Sequence, residues 1–277
     1  MKEKLREILF ILSLLIFIVG FAVVIWYFIK QRDNENRVKE LKTLISEDTI
    51  SDEKEQKQST DLRYYIINGV YVQEKYKDIY LLNNDFIGWI EDYGTNIDYP
   101  VMYTPNDEQY YLRRNFDKEY SVAGTIFIRQ NTDVIRPSEN IILFGHHMDD
   151  GTMFQNLMKY ESEEYYQSHK YIEFDTLEEN ATYEVIAAFR TVTHDANYQG
   201  FDVYNKIDLT KEKLTEYIDE CKSLTPYKTI ETSDDEELIT LSTCAYHKDN
   251  GRYVVVAKKI KSQRIDKTKP PIEVINQ

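Results

Sequence analysis

The chain has 277 residues, 42% of them hydrophobic and 30% charged, with a formal net charge of −14. That length suits one well-packed domain with appendages. The acidic balance, with no clustered basic stretch, excludes a nucleic-acid partner gripped through its phosphates, and the 23 tyrosines suit the half-buried strands of a β-rich domain.

Residues 1–7 carry Lys2, Lys4 and Arg6, and residues 8–29 then run 22 positions without a charge. A run that long crosses a hydrocarbon core, and Trp26 and Tyr27 fall near its end, where aromatic rings favour the interface. It is too long for the apolar part of a cleavable signal peptide and has no small-residue cleavage site, so an uncleaved single-pass anchor is expected. Lys30, Arg32, Arg37, Lys39 and Lys42 follow it, so basic residues flank both ends and the charges leave its orientation open.

Residues 30–61 divide in two. Val38, Leu41, Leu44 and Ile45 share one side of an expected short helix over 37–45, and the polar stretch 46–61, without aromatics, is expected to be an unfolded spacer. No repeat of solenoid length is visible.

From 62 to 262 the composition is globular. Tyr76, Ile79 and Tyr80 recur at helical spacing. Eight short apolar runs then predict strands at 86–90, 97–103, 125–129, 141–144, 171–175, 182–191, 238–245 and 253–260. With helices only at 153–160, 163–169 and 211–224, this predicts a mainly β fold, a closed or nearly closed barrel with peripheral helices. Residues 263–277 carry a Pro-Pro pair and no apolar run, and are expected to form a tail without a second anchor.

Periodicity separates the two cysteines. Cys221 shares a helical face with Leu214 and Ile218 and reads as a small buried hydrophobe. In LITLSTCAY, alternation sets Ile239, Leu241 and Thr243 on one face and Thr240, Ser242 and Cys244 on the other. A thiol at a strand end on the polar face suits a nucleophile, given a nearby base or cation. A disulfide between the two cysteines is the alternative, and their unlike surroundings argue against it. Past the turn signal KDNG, Arg252 opens the next strand and would lie roughly opposite Cys244 in a hairpin. Its planar fork suits an oxyanion, although an arginine at a strand edge is more often a solvated charge. The strand 141–144 runs into Gly145 and His146, placing an imidazole at the end of a buried strand where glycine permits close approach. His146, His147, Asp149 and Asp150 fit no usual zinc spacing, so no metal is expected. His169, His194 and His247 show no pattern and read as surface residues.

Taken together, TLSTC at 240–244, Arg252 eight positions on, and the strand-borne Gly145–His146 resemble the sortase signature. The stretches NNDFIGWI (83–90), IDYPVMY (97–103), YYLRRNF (110–116), AGTIFI (123–128), HMDDGTMF (147–154) and NGRYVVVAK (250–258) resemble class B sortases in particular, and the helix 211–224 between the sixth and seventh strands fits that class. The resemblance spans roughly residues 75 to 260 and implies a closed eight-stranded sortase-type barrel. It implies Cys244 as nucleophile, His146 as general acid and base, Arg252 as stabiliser of the oxyanion or substrate, and Ser242 and Thr243 as substrate-binding residues. It implies a cysteine transpeptidase that needs no cofactor and cleaves a C-terminal sorting signal of NPxTx or (S/N/P)PxTG type after Thr. The partners implied are surface proteins bearing that signal and an amine of a peptidoglycan precursor or cross-bridge, with the catalytic domain outside the cell membrane. Two positions depart from the pattern: His147 stands where Asn is expected, and Ala245 where some relatives carry an acidic or polar residue. A pilin-polymerising sortase, a membrane-tethered cysteine hydrolase and a non-catalytic binding domain are the competing readings.

Overall fold

The computed structural model describes residues 2–55, 61–134, 138–193 and 201–276. The chain divides into two compact units, Met1–Leu41 and Lys42–Gln277. The first belongs to helix α1 (Lys2–Glu55), which is long and apolar enough to cross a membrane. Its side chains from Ile8 to Ile29 are almost all exposed, as suits a surface facing lipid. The helix expected at 37–45 is part of α1, which continues to Glu55 through the stretch read as spacer. No Gly or Pro between residues 30 and 55 interrupts it, and extending an existing helix is easier than nucleating a second. Residues 56–60 of the expected spacer lie outside the described residues.

In the second unit a hairpin, β1 (Tyr64–Ile67) and β2 (Val70–Gln73), leads through a 3-10 turn to α2 (Lys77–Leu82). Then come β3 (Phe86–Glu91), β4 (Asp98–Met102), a 3-10 turn at Tyr110–Arg113, β5 (Ile126–Ile128) and β6 (Asn140–Phe144). A 3-10 helix (Gln155–Glu161) and α3 (Glu163–Ser168) precede β7 (Tyr171–Thr176) and β8 (Glu179–Val192). Last are α4 (Lys211–Leu224), β9 (Leu238–Cys244), β10 (Gly251–Arg264) and β11 (Val274–Ile275).

Eight strands close a barrel in the order β10-β8-β7-β3-β4-β5-β6-β9, and these are the eight runs expected from the sequence. Alternation along β10 explains its unbroken apolar run. Tyr253, Val255 and Ala257 fill the barrel core with Ile126, Leu143 and Leu241, whereas Val254 and Val256 lie outside it under Leu214, Tyr217 and Cys221 of α4. Helix α4 matches its expected bounds, and the Thr210 hydroxyl caps it by accepting from the Lys213 N–H.

The sequence pattern missed a second sheet, β11-β1-β2. Two-residue β11 pairs in parallel with β1, Ile66 opposite Val274, so the segment read as a tail returns to the domain. A strand that short carries no readable alternation.

One buried group sets a pH dependence. Asp92 is 1% exposed, and its Oδ2 accepts from the Tyr160 hydroxyl at 3.3 Å, while Oδ1 has no partner among the described residues. Burial pushes its carboxyl up to about 7, outweighing that hydrogen bond and the charge of Lys159. An acid whose folded pKa is raised binds its proton more tightly when folded, so stability is lost as pH rises from about 4 through about 7. Asp92→Asn is expected to remove that slope and to stabilise the protein at pH 8 by up to about 4 kcal/mol, with the difference shrinking at pH 5. Thermal unfolding across this range checks it, and a wild-type Tm independent of pH would contradict it.

Candidate active site

Two ladders meet on β9. On one side it pairs in parallel with β6, Leu143 opposite Leu241 and Phe144 opposite Ser242, and the Gly145 N–H donates to the Ser242 carbonyl at 3.2 Å. Two residues beyond, His146, just past the end of β6, and Cys244, the last residue of β9, lie at the same end of the two strands. On the other side β9 pairs antiparallel with β10, which sets Arg252 directly opposite Cys244. The Ala245 N–H closes that hairpin on the Gly251 carbonyl at 2.9 Å. Gly145 is required by crowding, since a Cβ there would lie 2.5 Å from the Ile126 Cδ1 and 2.7 Å from the Phe154 ring.

His146, Ser242, Thr243, Cys244 and Arg252, the five residues nominated by the sequence, line one cavity of about 260 Å³. The alternation on β9 holds, with Ile239 and Leu241 in the barrel core. The face expected to be polar is covered, however. Thr240 is fully buried under α4, donating to Asn140 Oδ1 at 2.9 Å and meeting the Tyr217 hydroxyl at 3.0 Å. Ser242 and Thr243 are each 2% exposed, and their hydroxyls have no partner among the described residues.

His146 Nε2 lies 2.8 Å from the main-chain carbonyl of Leu112, in the 3-10 turn Tyr110–Arg113. Burial pulls its pKa below the ordinary histidine value, and nearby Arg113 adds to the lowering, against the pull of the Leu112 carbonyl the other way. Burial thus favours the neutral ring, the form of an imidazole that can accept a proton.

Arg252 donates Nε to the Tyr204 hydroxyl and Nη1 to the Gly251 carbonyl, both at 2.9 Å. Tyr204 also faces Phe144, with ring centroids 5.3 Å apart, and its carbonyl accepts from Arg129 Nε at 3.1 Å. Arg129 Nη1 in turn meets both carboxylate oxygens of Glu108, at 2.7 and 2.8 Å. Sequence reasoning missed these cavity residues. Tyr204 sits in a segment with no periodic pattern, and Leu112 meets His146 through its backbone, which leaves no side-chain signal. Arg129 was legible only as the end of a strand.

The neighbouring candidates lie elsewhere. His147 does not line the cavity; its ring packs edge-on against Tyr246 at 5.3 Å. Both cysteines are free, which overturns the disulfide alternative. Cys221 is wholly buried on α4, and burial pushes its thiol well up. His169 is not a plain surface residue, because its ring stacks on Tyr165 at 3.9 Å. His247 is exposed as expected, and His194 lies outside the described residues.

The contrast predicts selective chemistry. Cys244, half-buried in the cavity wall, should be alkylated by iodoacetamide in the folded protein, while Cys221 should react only on unfolding. Peptide mass mapping after brief labelling measures this, and equal labelling would contradict the placement of the two thiols.

A model of the Sortase domain matches residues 90–260. Sortase B of Staphylococcus aureus is 34% identical over 198 residues, covering 69% of this chain and 77% of that protein. Sortase B of Listeria monocytogenes is 30% identical over 217 residues, covering 76% and 84%. Among solved structures, a Staphylococcus aureus sortase B–substrate complex superposes with a TM-score of 0.69 at 27% identity, covering 84% of this chain and 99% of that one. A barrel of this topology, matched over that span by both sequence and structure, places the chain in the sortase family of cysteine transpeptidases, among the class B sortases.

Proposed function

We propose that this class B sortase cleaves a C-terminal sorting signal of NPxTx or (S/N/P)PxTG type after its threonine and transfers the new carboxyl end to a peptidoglycan amine. The observation that carries this reading is that Cys244, His146 and Arg252 share one cavity, with Arg252 fixed opposite the cysteine. Neutral His146 takes the Cys244 proton as sulfur attacks the threonine carbonyl, forming the S–C bond. The carbonyl oxygen gathers charge, and Arg252 steadies it. The C–N bond then breaks, the imidazolium protonates the departing amine, and a thioester remains. An amine of the cell-wall precursor or cross-bridge attacks that thioester, His146 accepts its proton, and the thiol is restored. Ser242 and Thr243 line the cavity, and their buried hydroxyls, without partners among the described residues, become available to the bound peptide on side-chain rotation. This chemistry belongs outside the cell membrane, with α1 as the anchor. Protease added to intact, wall-stripped cells should accordingly digest the domain.

The test uses the full chain in detergent, a library of sorting-signal peptides and candidate amines, with products read by mass spectrometry. Cys244→Ala should form no acyl-enzyme, and His146→Ala should lose about 10² to 10⁴ in rate. Arg252→Lys should fail as well, because a point charge cannot replace the guanidinium fork. His147→Ala and Cys221→Ala should keep turnover. The acidic limb of kcat/KM should lie below the ordinary histidine value of about 6.5, since activity needs neutral His146 and its pKa is lowered. Release of free acid with the amine present would favour a hydrolase, and an active His146→Ala beside a dead His147→Ala would overturn the assignment of the imidazole.

A further inference from the structure

The contact between His146 and Leu112 has a chemical consequence. A carbonyl oxygen only accepts, so a 2.8 Å contact with Nε2 requires the hydrogen to sit on Nε2. In the neutral ring the lone pair is then left on Nδ1. We infer that the Leu112 main-chain carbonyl is the third, positioning member of the catalytic apparatus: it holds the His146 proton on Nε2 and leaves Nδ1 to exchange protons with Cys244, and Gly124 is the residue that lets the carbonyl stand there. The inference rests on the reading of His146 as the acid and base.

The turn that presents this carbonyl is firmly built. Tyr111 is wholly buried; its hydroxyl donates to Asp85 Oδ2 and accepts from Asn83 Nδ2, both at 2.8 Å. The strand leading to β5 holds the turn from the other side. The Thr125 N–H donates to the Tyr111 carbonyl at 3.0 Å, and the Thr125 hydroxyl to the Arg114 carbonyl at 2.9 Å. Between them Gly124, at φ +62°, lies flush on the turn. A Cβ there would stand 2.5 Å from the Leu112 oxygen and 2.6 Å from the Tyr111 oxygen. The Leu112 oxygen is thus wedged between the imidazole and the glycine, and any side chain at 124 must push it away. A nucleophile, a base and a group that orients the base make up the usual logic of an activated nucleophile. Here the orienting group is backbone, so alanine scanning of polar side chains would never find it. The same contact favours the charged ring, opposing the effect of burial.

The experiment is nitrogen-15 NMR of the full chain in detergent, labelled at histidine, with His146 assigned by its loss in His146→Gln. The neutral His146 ring should show a protonated Nε2 and a bare Nδ1; a ring protonated on Nδ1 overturns the proposal. In Gly124→Ala, His146 should populate both tautomers and titrate at lower pH, with kcat reduced roughly 10- to 100-fold at little change in KM. A folded Gly124→Ala with pure Nε2–H and wild-type kcat overturns the role given to Gly124. If Gly124→Ala does not fold, the wild-type spectrum alone decides. A wild-type chain that shows Nε2–H yet acylates on no sorting peptide would instead sink the catalytic reading of His146, leaving the tautomer assignment intact.

Discussion

Everything at the candidate site depends on β9 being hydrogen-bonded along both edges. Its parallel ladder with β6 sets His146, and its antiparallel ladder with β10 sets Arg252, so side chains about a hundred residues apart in sequence are placed by main-chain bonds. Such placement is rigid, because a one-residue slip on either ladder would turn every inward side chain of the strand outward. Ile239, Leu241 and Val255 in the barrel core forbid that slip. The core thus fixes the position of the thiol as much as it stabilises the fold.

The second layer is electrical. The chain carries a net charge of −14, yet two arginines stand in the wall of one small cavity. Glu108 pairs with one of them, Arg129, and Tyr204 bridges the two, offering its hydroxyl to Arg252 and its carbonyl to Arg129. Burial favours the neutral form of His146 against the Leu112 carbonyl, which favours the charged ring. A neutral imidazole and a thiol thus share one cavity, with a cation paired opposite the thiol on the neighbouring strand.

Much of this was legible in the residues. The eight barrel strands read out because each has at least one face in a continuous core and so an apolar run or alternation. Helix α4 read out because Leu214, Ile218 and Cys221 recur at helical spacing. Arg252 opposite Cys244 followed from the turn signal between them. What stayed hidden has no local pattern. The 3-10 turn at Tyr110–Arg113 is too short for periodicity, β11 is two residues long, and Tyr204 meets Arg252 across 48 positions of chain. Leu112 was hidden most thoroughly, because its contribution is a carbonyl that every residue type possesses.

The departure at Ala245 gains a physical meaning from this arrangement. Ala245 is 1% exposed and packs in the barrel core, so it offers Arg252 neither a charge nor an acceptor. Arg252 is held instead by two neutral oxygens, the Tyr204 hydroxyl and the Gly251 carbonyl, and no carboxylate pairs with it among the described residues. Arg129 is the opposite case, its charge cancelled by Glu108 in the same cavity. A carboxylate on Arg252 would lower the potential felt by a developing oxyanion, whereas neutral acceptors fix the fork and leave its charge undiminished. The two arginines therefore divide the work: one completes the wall without charging it, and the other brings the only unpaired arginine charge among the described cavity residues to the place where the proposed reaction builds negative charge.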